Sequence, residues 1–303
     1  MNQFVQKTYA AINKDNETRM KSSSGGIFSL LADVIIKQGG VVFGAAYDNE
    51  FNVIHTYIDN IEDLNILRGS KYVLSNMGDS YSKVKSFLEE GRKVLFTGTP
   101  CQIAGLNNFL GKAYDNLYMQ DLVCHGVPMQ SVWKKYLNYR NMIDKKTPKD
   151  INFRDKVNGW TRFEMKFAYN DFNYSVFHRS DLFMKLFLKN YSLRESCYAC
   201  KFKGLDRIAD ITLADFWGVK HICEEMYDDK GTSLVIINSE KGQALFDLIK
   251  EEVEEREVDI QKAIEYNICI IESVPKPEDR ELFIADLDKL EMDELVVKYI
   301  DNK

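Results

Sequence analysis

No apolar run in the sequence is long enough to cross a bilayer, and no basic start leads into an apolar stretch, so neither a membrane span nor a secretory leader is expected. Positive charge is not in excess: 40 Lys and Arg stand against 46 Asp and Glu, a formal net charge of -6, which argues against a general nucleic-acid or membrane-surface role. No GxGxxG run follows a strand pattern, so the usual nicotinamide fingerprint is missing. Internal repeats and low-complexity segments are also lacking. Together these absences point to a cytoplasmic protein. In that reducing compartment, six cysteines are better explained by metal binding, catalysis or burial than by disulfides.

What remains is ordinary globular material, with 45% hydrophobic and 28% charged residues over 303 positions. That length suits one large α/β unit or two fused smaller ones. The expected fold class is α/β, with mixed sheets, parallel crossover units and one compact catalytic body followed by a helical tail. The expected divisions are 1–95 and 96–255 for two parts of the body and 256–303 for the tail.

Local patterns support this reading. TYAAIN predicts a strand, NKDNETRMKSSSGG a loop, and IFSLLADVIIKQGG a helix stopped by Gly39 and Gly40. VVFGAAYD and NVIHTYID predict an antiparallel pair, and YSKVKSFLEEG a helix ended by Gly91. The strand KVLFTG runs into Thr99 and Pro100, a cap and first-turn proline that open the helix CQIAGLNNFLG. The strand NLYMQDLVC follows. Strand, helix and strand with a short return make a parallel crossover unit. Further on come the helix SVWKKYLNYRNM, a strand meander, the amphipathic helix DLFMKLFLKN, a functional-looking loop from Ser192, and the strand TSLVIINS. The acidic stretch EKGQALFDLIKEEVEEREVD and the segments after Pro275 read as helical.

Four cysteines carry the chemistry. Cys101 lies just past one parallel strand and Cys124 ends the next, so both fall at the carboxyl edge of a sheet, where open α/β folds bind ligands. Cys101 also sits in the first turn of a helix, whose amides favour a thiolate. Cys197 and Cys200 form a Cys-x-x-Cys pair in the loop. The favoured reading is one iron-sulfur centre ligated by all four. Its rivals are a structural zinc site, a dithiol redox motif and simple burial. Zinc usually draws on two short knuckles, and a dithiol motif usually stands at a thioredoxin-like strand-to-helix junction. Cys223 and Cys269 stand alone in apolar contexts and are assigned to the core.

The runs SSSGGIFSLLA, LRGSKYV, LFTGTPCQIAGL, DLVCHGVP, SCYACKF and ADITLADFWG, in this order from about Tyr9 to Lys250, resemble the coenzyme F-420 hydrogenase/dehydrogenase beta-subunit family of iron-sulfur flavoproteins. The resemblance implies a 4Fe-4S cluster, FAD and an oxidoreductase passing electrons between them, with hydride transfer to or from a small organic substrate such as a deazaflavin. It makes Cys101, Cys124, Cys197 and Cys200 the cluster ligands. Members with these motifs often begin with a ferredoxin-like segment. Nothing of that kind precedes Tyr9, so the expectation is either a separate ferredoxin-like partner or a native segment that this sequence lacks. The alternatives are a zinc-stabilised module without redox activity, or a redox scaffold recruited to surface-polysaccharide synthesis, an association carried by the resemblance and by no residue here.

The flavin candidates follow. Ser22, Ser23, Ser24, Gly25 and Gly26 open a helix, where amides and hydroxyls suit a phosphate; a plain N-cap is the alternative. Arg68 and Lys71 bring positive charge beside Gly69, with Ser70 and Tyr72 flanking Lys71, to pair with a pyrophosphate or the reduced ring, or else to make surface ion pairs. Thr97, Gly98 and Thr99 leave room for a flat ring beside Cys101. Lys71 and His125 are the catalytic candidates, with His125 a proton donor, a tuning hydrogen bond or a structural residue. Arg207, Asp210 and Asp215 are expected to include one residue that orients the cysteine loop or a ribose, and Phe216 and Trp217 to shield the cluster or fill the core.

Overall fold

The computed structural model describes residues 4–302. Its strands are β1 (Lys7–Asn13), β2 (Val41–Tyr47), β3 (Val53–Ile58), β4 (Val94–Gly98), β5 (Leu117–Leu122), β6 (Asp150–Asp155), β7 (Glu164–Ala168), β8 (Asn173–Phe177), β9 (Ile211–Asp215), β10 (Ser233–Ile237) and β11 (Val253–Glu257). The helices are α1 (Asn16–Lys21), α2 (Ile27–Lys37), α3 (Leu64–Leu67), α4 (Ser80–Glu89), α5 (Pro100–Leu110), α6 (Gln130–Asp144), α7 (Leu182–Leu188), α8 (Val219–Ile222), α9 (Glu240–Asp247), α10 (Ile260–Tyr266), α11 (Arg280–Asp286) and α12 (Met292–Val296). The described chain divides into two units, each assembled from segments far apart in sequence. No helix among the described residues is long and apolar enough to cross a membrane.

The first unit comprises Met1–Gly69, Ser75–Cys124 and Phe202–Glu272. It is built on an eight-stranded sheet in the order β11-β1-β10-β9-β5-β4-β2-β3. The neighbours β2, β4, β5 and β9 run parallel, and the flanking pairs are antiparallel. This is the mixed α/β sheet with crossover units that the sequence predicts. Side chains alternate along each strand, which gives the sheet two buried faces. Val42 and Leu95 share a core with the buried face of α2, whereas Val41, Phe43, Val94 and Phe96 share one with α4 and α5.

Two local expectations are corrected here. Asn16–Lys21, expected as loop, forms α1, because the Asp15 carboxylate caps the amides of Glu17 and Thr18. The acidic segment Val253–Glu257, expected as helix, is strand β11, paired antiparallel with β1 at the sheet edge. An edge strand tolerates Glu254, Glu255, Arg256 and Glu257 because its charges discourage pairing with other chains.

The second unit comprises Ser70–Leu74, His125–Lys201 and Ser273–Lys303. Its sheet is the predicted meander, β6-β7-β8, fully antiparallel. An aromatic core fills it: the Trp133 ring of α6 lies 5.1 Å from both Phe153 and Phe183, and Tyr136 stacks on Phe183 at 5.6 Å. Buried Asp181 caps α7 through the Met184 amide at 2.9 Å and accepts from the Tyr136 and Tyr174 hydroxyls. The C-terminal region is helical, with α11, α12 and a wide turn over Val297–Asp301.

Gly25 shows how tightly the first unit is assembled. A Cβ there would lie 2.4 Å from the Ala11 carbonyl oxygen and 2.7 Å from the Ser233 amide nitrogen. Backbone cannot yield cheaply at such distances, so Gly25→Ala should cost about 1–3 kcal/mol, the range for overpacking. Chemical unfolding against the parent chain measures it, and an unchanged midpoint would contradict the close packing.

Candidate functional site

The junction of β4 and α5 positions Cys101. Thr99 caps the helix, and its amide donates to Gln102 Oε1 at 3.0 Å. Gln102 Nε2 donates onward to Ser75 Oγ at 2.8 Å, and that oxygen lies 3.3 Å from His55 Nδ1. Burial pushes His55 down to about 4, so the ring is neutral near pH 7. The first turn of α5 is thereby tied into the core. Thr99 Oγ1 stands 3.1 Å from Cys101 Sγ, and the same hydroxyl donates to Gln102 Oε1 at 3.2 Å. Thr97 Oγ1 donates to the Phe43 carbonyl at 2.8 Å, and Gly98 packs against Gln102.

Cys124 lies two residues beyond β5, in register with the same sheet edge, since Gly98 pairs with Asp121. The Val123 amide donates to Leu213 O at 3.0 Å. The Cys124 carbonyl accepts from Lys203 Nζ, which also donates to Cys269 O at 2.8 Å. Arg207 and Asp121 form a buried pair at 3.3 Å. Burial raises the Asp121 carboxyl to about 6 against the opposing pull of Arg207. Asp210 is structural: it accepts from the Met119 amide and from Ser239 Oγ at 2.8 and 2.7 Å. Phe216 is buried, whereas Trp217 is exposed.

The serine-glycine run is placed beside the sheet. Ser22 Oγ donates to Thr18 O and Ser24 Oγ to Thr232 O, each at 2.8 Å. The N-cap of α2 is Gly26, at φ 85°, with no side-chain cap. Arg68 Nε donates to Ser29 Oγ at 3.0 Å, which brings a guanidinium to the first turn of α2.

The other candidates belong to the second unit. The Lys71 ammonium is pushed down to about 7 by burial, with Asp150 opposing the fall. Tyr72 stacks on Phe187 at 4.9 Å and accepts from Arg154 at 3.0 Å. Ser70 directly precedes Lys71. His125 Nε2 lies 2.7 Å from Asn190 Oδ1. The Asn190 amide donates to Pro275 O, so its oxygen faces the ring and the imidazole proton sits on Nε2. After His125, the Met129 amide donates to Ser192 O and the Arg194 amide to Val127 O, so the segment runs beside the approach to Cys197. A Cβ at Gly126 would lie 3.3 Å from Cys197 Cβ, and Cys124 precedes Gly126 by two residues.

Sequence reasoning missed what holds the Cys-x-x-Cys loop. Buried Arg280 of α11 donates to Leu193 O at 2.6 Å and to Tyr198 Oη at 2.7 Å, and pairs with Glu195 at 3.2 Å. The Cys200 amide donates to Ser273 Oγ at 2.9 Å. Contacts spanning about eighty residues leave no local pattern to read. Cys101, Cys124, Cys197 and Cys200 are all half-buried and outside any disulfide, whereas Cys223 is buried and its thiol is pushed up to about 11. Cys269, expected in the core, is also half-buried, because it sits in the surface turn Ile268–Ile270. Among the described residues, no three His, Cys, Asp or Glu side chains are gathered as a ready metal cage.

Residues 91–262, more than half the chain and including Cys101, Cys124, Cys197 and Cys200, match the family described as the C terminus of the coenzyme F420 hydrogenase/dehydrogenase beta subunit. The chain belongs to this family. As its name states, the coenzyme F420 hydrogenase/dehydrogenase family consists of subunits of oxidoreductases. Among solved structures, a chain of the F420-reducing [NiFe] hydrogenase complex from Methanosarcina barkeri is similar in fold, with a TM-score of 0.56 and 18% identity over 98% of this chain and 93% of that one. No curated protein matches.

Arg280→Met should cost about 2–4 kcal/mol, since it strands buried acceptors of a charged donor. It should also speed maleimide labelling of Cys197 and Cys200. Unchanged stability and labelling would show that Arg280 does not hold the loop.

Proposed function

We propose that this member of the coenzyme F420 hydrogenase/dehydrogenase beta-subunit family is an iron-sulfur flavoprotein in which Cys101, Cys124, Cys197 and Cys200 hold a 4Fe-4S cluster and FAD binds beside it. The observation that carries the reading is the family match spanning all four cysteines, together with their half-buried placement in the first turn of α5, in the segment after β5 and in the Cys-x-x-Cys turn. Soft thiolates are the donors such a cluster takes. When bound, the cluster would handle single electrons and the flavin electron pairs or a hydride.

The residues have separate tasks in this account. The first turn of α5 presents the Cys101 sulfur at the sheet edge, with Thr99 Oγ1 3.1 Å away. The first amides of α2, which no helix satisfies internally, and the Arg68 guanidinium suit a flavin phosphate. Gly25 is packed against the sheet and Ser24 donates to Thr232, so the phosphate contacts fall to the α2 amides and Arg68 before the serine hydroxyls. Lys71 changes charge near neutrality: below about pH 7 it is an ammonium able to pair with an anion or donate a proton, and above it an amine. His125, with its proton held on Nε2 toward Asn190, is a second candidate for proton handling. A conjugated organic molecule such as a deazaflavin would be the substrate, and a ferredoxin-like protein or partner subunit would exchange single electrons with the chain.

Anaerobic reconstitution with iron, sulfide and FAD tests the reading. The parent chain should take up about four iron and one flavin and bleach with dithionite, while Cys101→Ser, Cys124→Ser, Cys197→Ser and Cys200→Ser each lose most of the iron. Full clusters in Cys101→Ser and Cys124→Ser would defeat the four-ligand assignment. A colourless protein holding stoichiometric zinc would mark a structural zinc module.

A further inference from the structure

The loop Phe202–Ala209 carries two cations that reach the same pair of backbone segments. Lys203 Nζ donates to the carbonyls of Cys124 and Cys269. Arg207 donates to the Asp121 carboxylate and to the Ile270 carbonyl, each at 3.3 Å, and the Gly204 amide donates to the same Ile270 oxygen at 2.8 Å. The end of β5 and the turn Ile268–Ile270 are therefore bolted to one loop by five hydrogen bonds, four of them from charged side chains. Arg207 and Asp121 are both nearly fully buried. In a desolvated setting such charge-assisted bonds hold position more firmly than neutral ones. The carbonyl that the Lys203 ammonium grips belongs to Cys124 itself, the residue whose sulfur is the proposed ligand.

We propose that Lys203 and Arg207 are positioning residues that fix the Cys124 turn, and that the Lys203 charge biases whatever is bound at Cys124 toward its more negative state. This rests on the cluster reading above. A positive charge near a cluster stabilises the reduced, more negative form, so its loss lowers the reduction potential. Neither residue is needed as a ligand or a proton carrier for this. Lys203 follows Cys200 by three residues and Arg207 by seven, so one short loop supplies a ligand and the clamp for another.

The test compares the full chain with Lys203→Met and Lys203→Arg in two measurements. Hydrogen exchange of the protein without iron reports the clamp alone. Lys203→Met should exchange faster at the amides of Val123, Gly204 and Ile270, and Lys203→Arg, which can still donate to both carbonyls, should restore protection. Redox titration after reconstitution reports the charge. Lys203→Met should show a more negative cluster potential with the same visible spectrum, while Lys203→Arg stays near the parent. Unchanged exchange overturns the clamp, and an unchanged potential overturns the charge role. If the parent chain takes up no iron, the cluster reading and the charge role that rests on it both fail, while the exchange data still decide the clamp.

Discussion

Parallel pairing of β4 with β5 is the constraint on which the proposed cysteine chemistry rests. Two neighbouring strands that run the same way must end on the same edge, so the residues that follow them leave the sheet side by side. Gly98 stands opposite Asp121, and three residues beyond each comes a cysteine. One strand turns directly into a helix, which gives Cys101 a first-turn position, and the other runs on in extended chain to Cys124. An antiparallel arrangement of the same strands would have sent the two thiols to opposite edges.

Thiols at a sheet edge become useful only if their loops are held. Each is held by a different device. The Cys101 turn is fastened through Gln102, Ser75 and His55, a neutral chain ending in the core. The Cys124 turn is fastened by two cations, Lys203 donating to the Cys124 carbonyl and Arg207 to the Asp121 carboxylate. The Cys197–Cys200 turn is fastened by Arg280 and Ser273 from the C-terminal region. In all three the anchors grip backbone or neighbouring polar groups. Cys223, by contrast, is packed as a small apolar residue with a raised thiol, which marks it as structural.

Much of this was legible from residue patterns, and the part that was not has a physical explanation. The β4–α5–β5 unit announces itself through alternating apolar residues, a threonine cap and a proline in the first turn, all local signals. The helix α1 has no apolar stripe to reveal it; a single aspartate cap and i,i+4 pairing between Glu17 and Lys21 suffice for six residues of which only Met20 is apolar. The strand β11 reads as a charged helix until β1 is known to need a neighbour. Ser24 has the composition of a phosphate loop, yet its hydroxyl meets Thr232, a partner 208 positions away that no window of sequence includes. The roles of Lys203 and Arg280 are of the same kind, because a long cationic side chain chooses its acceptor by tertiary proximity. The four cysteines proposed as ligands were picked out by spacing and residue type, which restrict what four thiols can do.

The central claim is that four sulfurs share one iron-sulfur centre. Diffraction from anaerobically grown crystals, collected on both sides of the iron absorption edge, addresses it directly. The account predicts one compact anomalous peak within bonding distance of Cys101, Cys124, Cys197 and Cys200. Iron bound at Cys197 and Cys200 alone, or no iron signal beside fully reconstituted flavin, would contradict it.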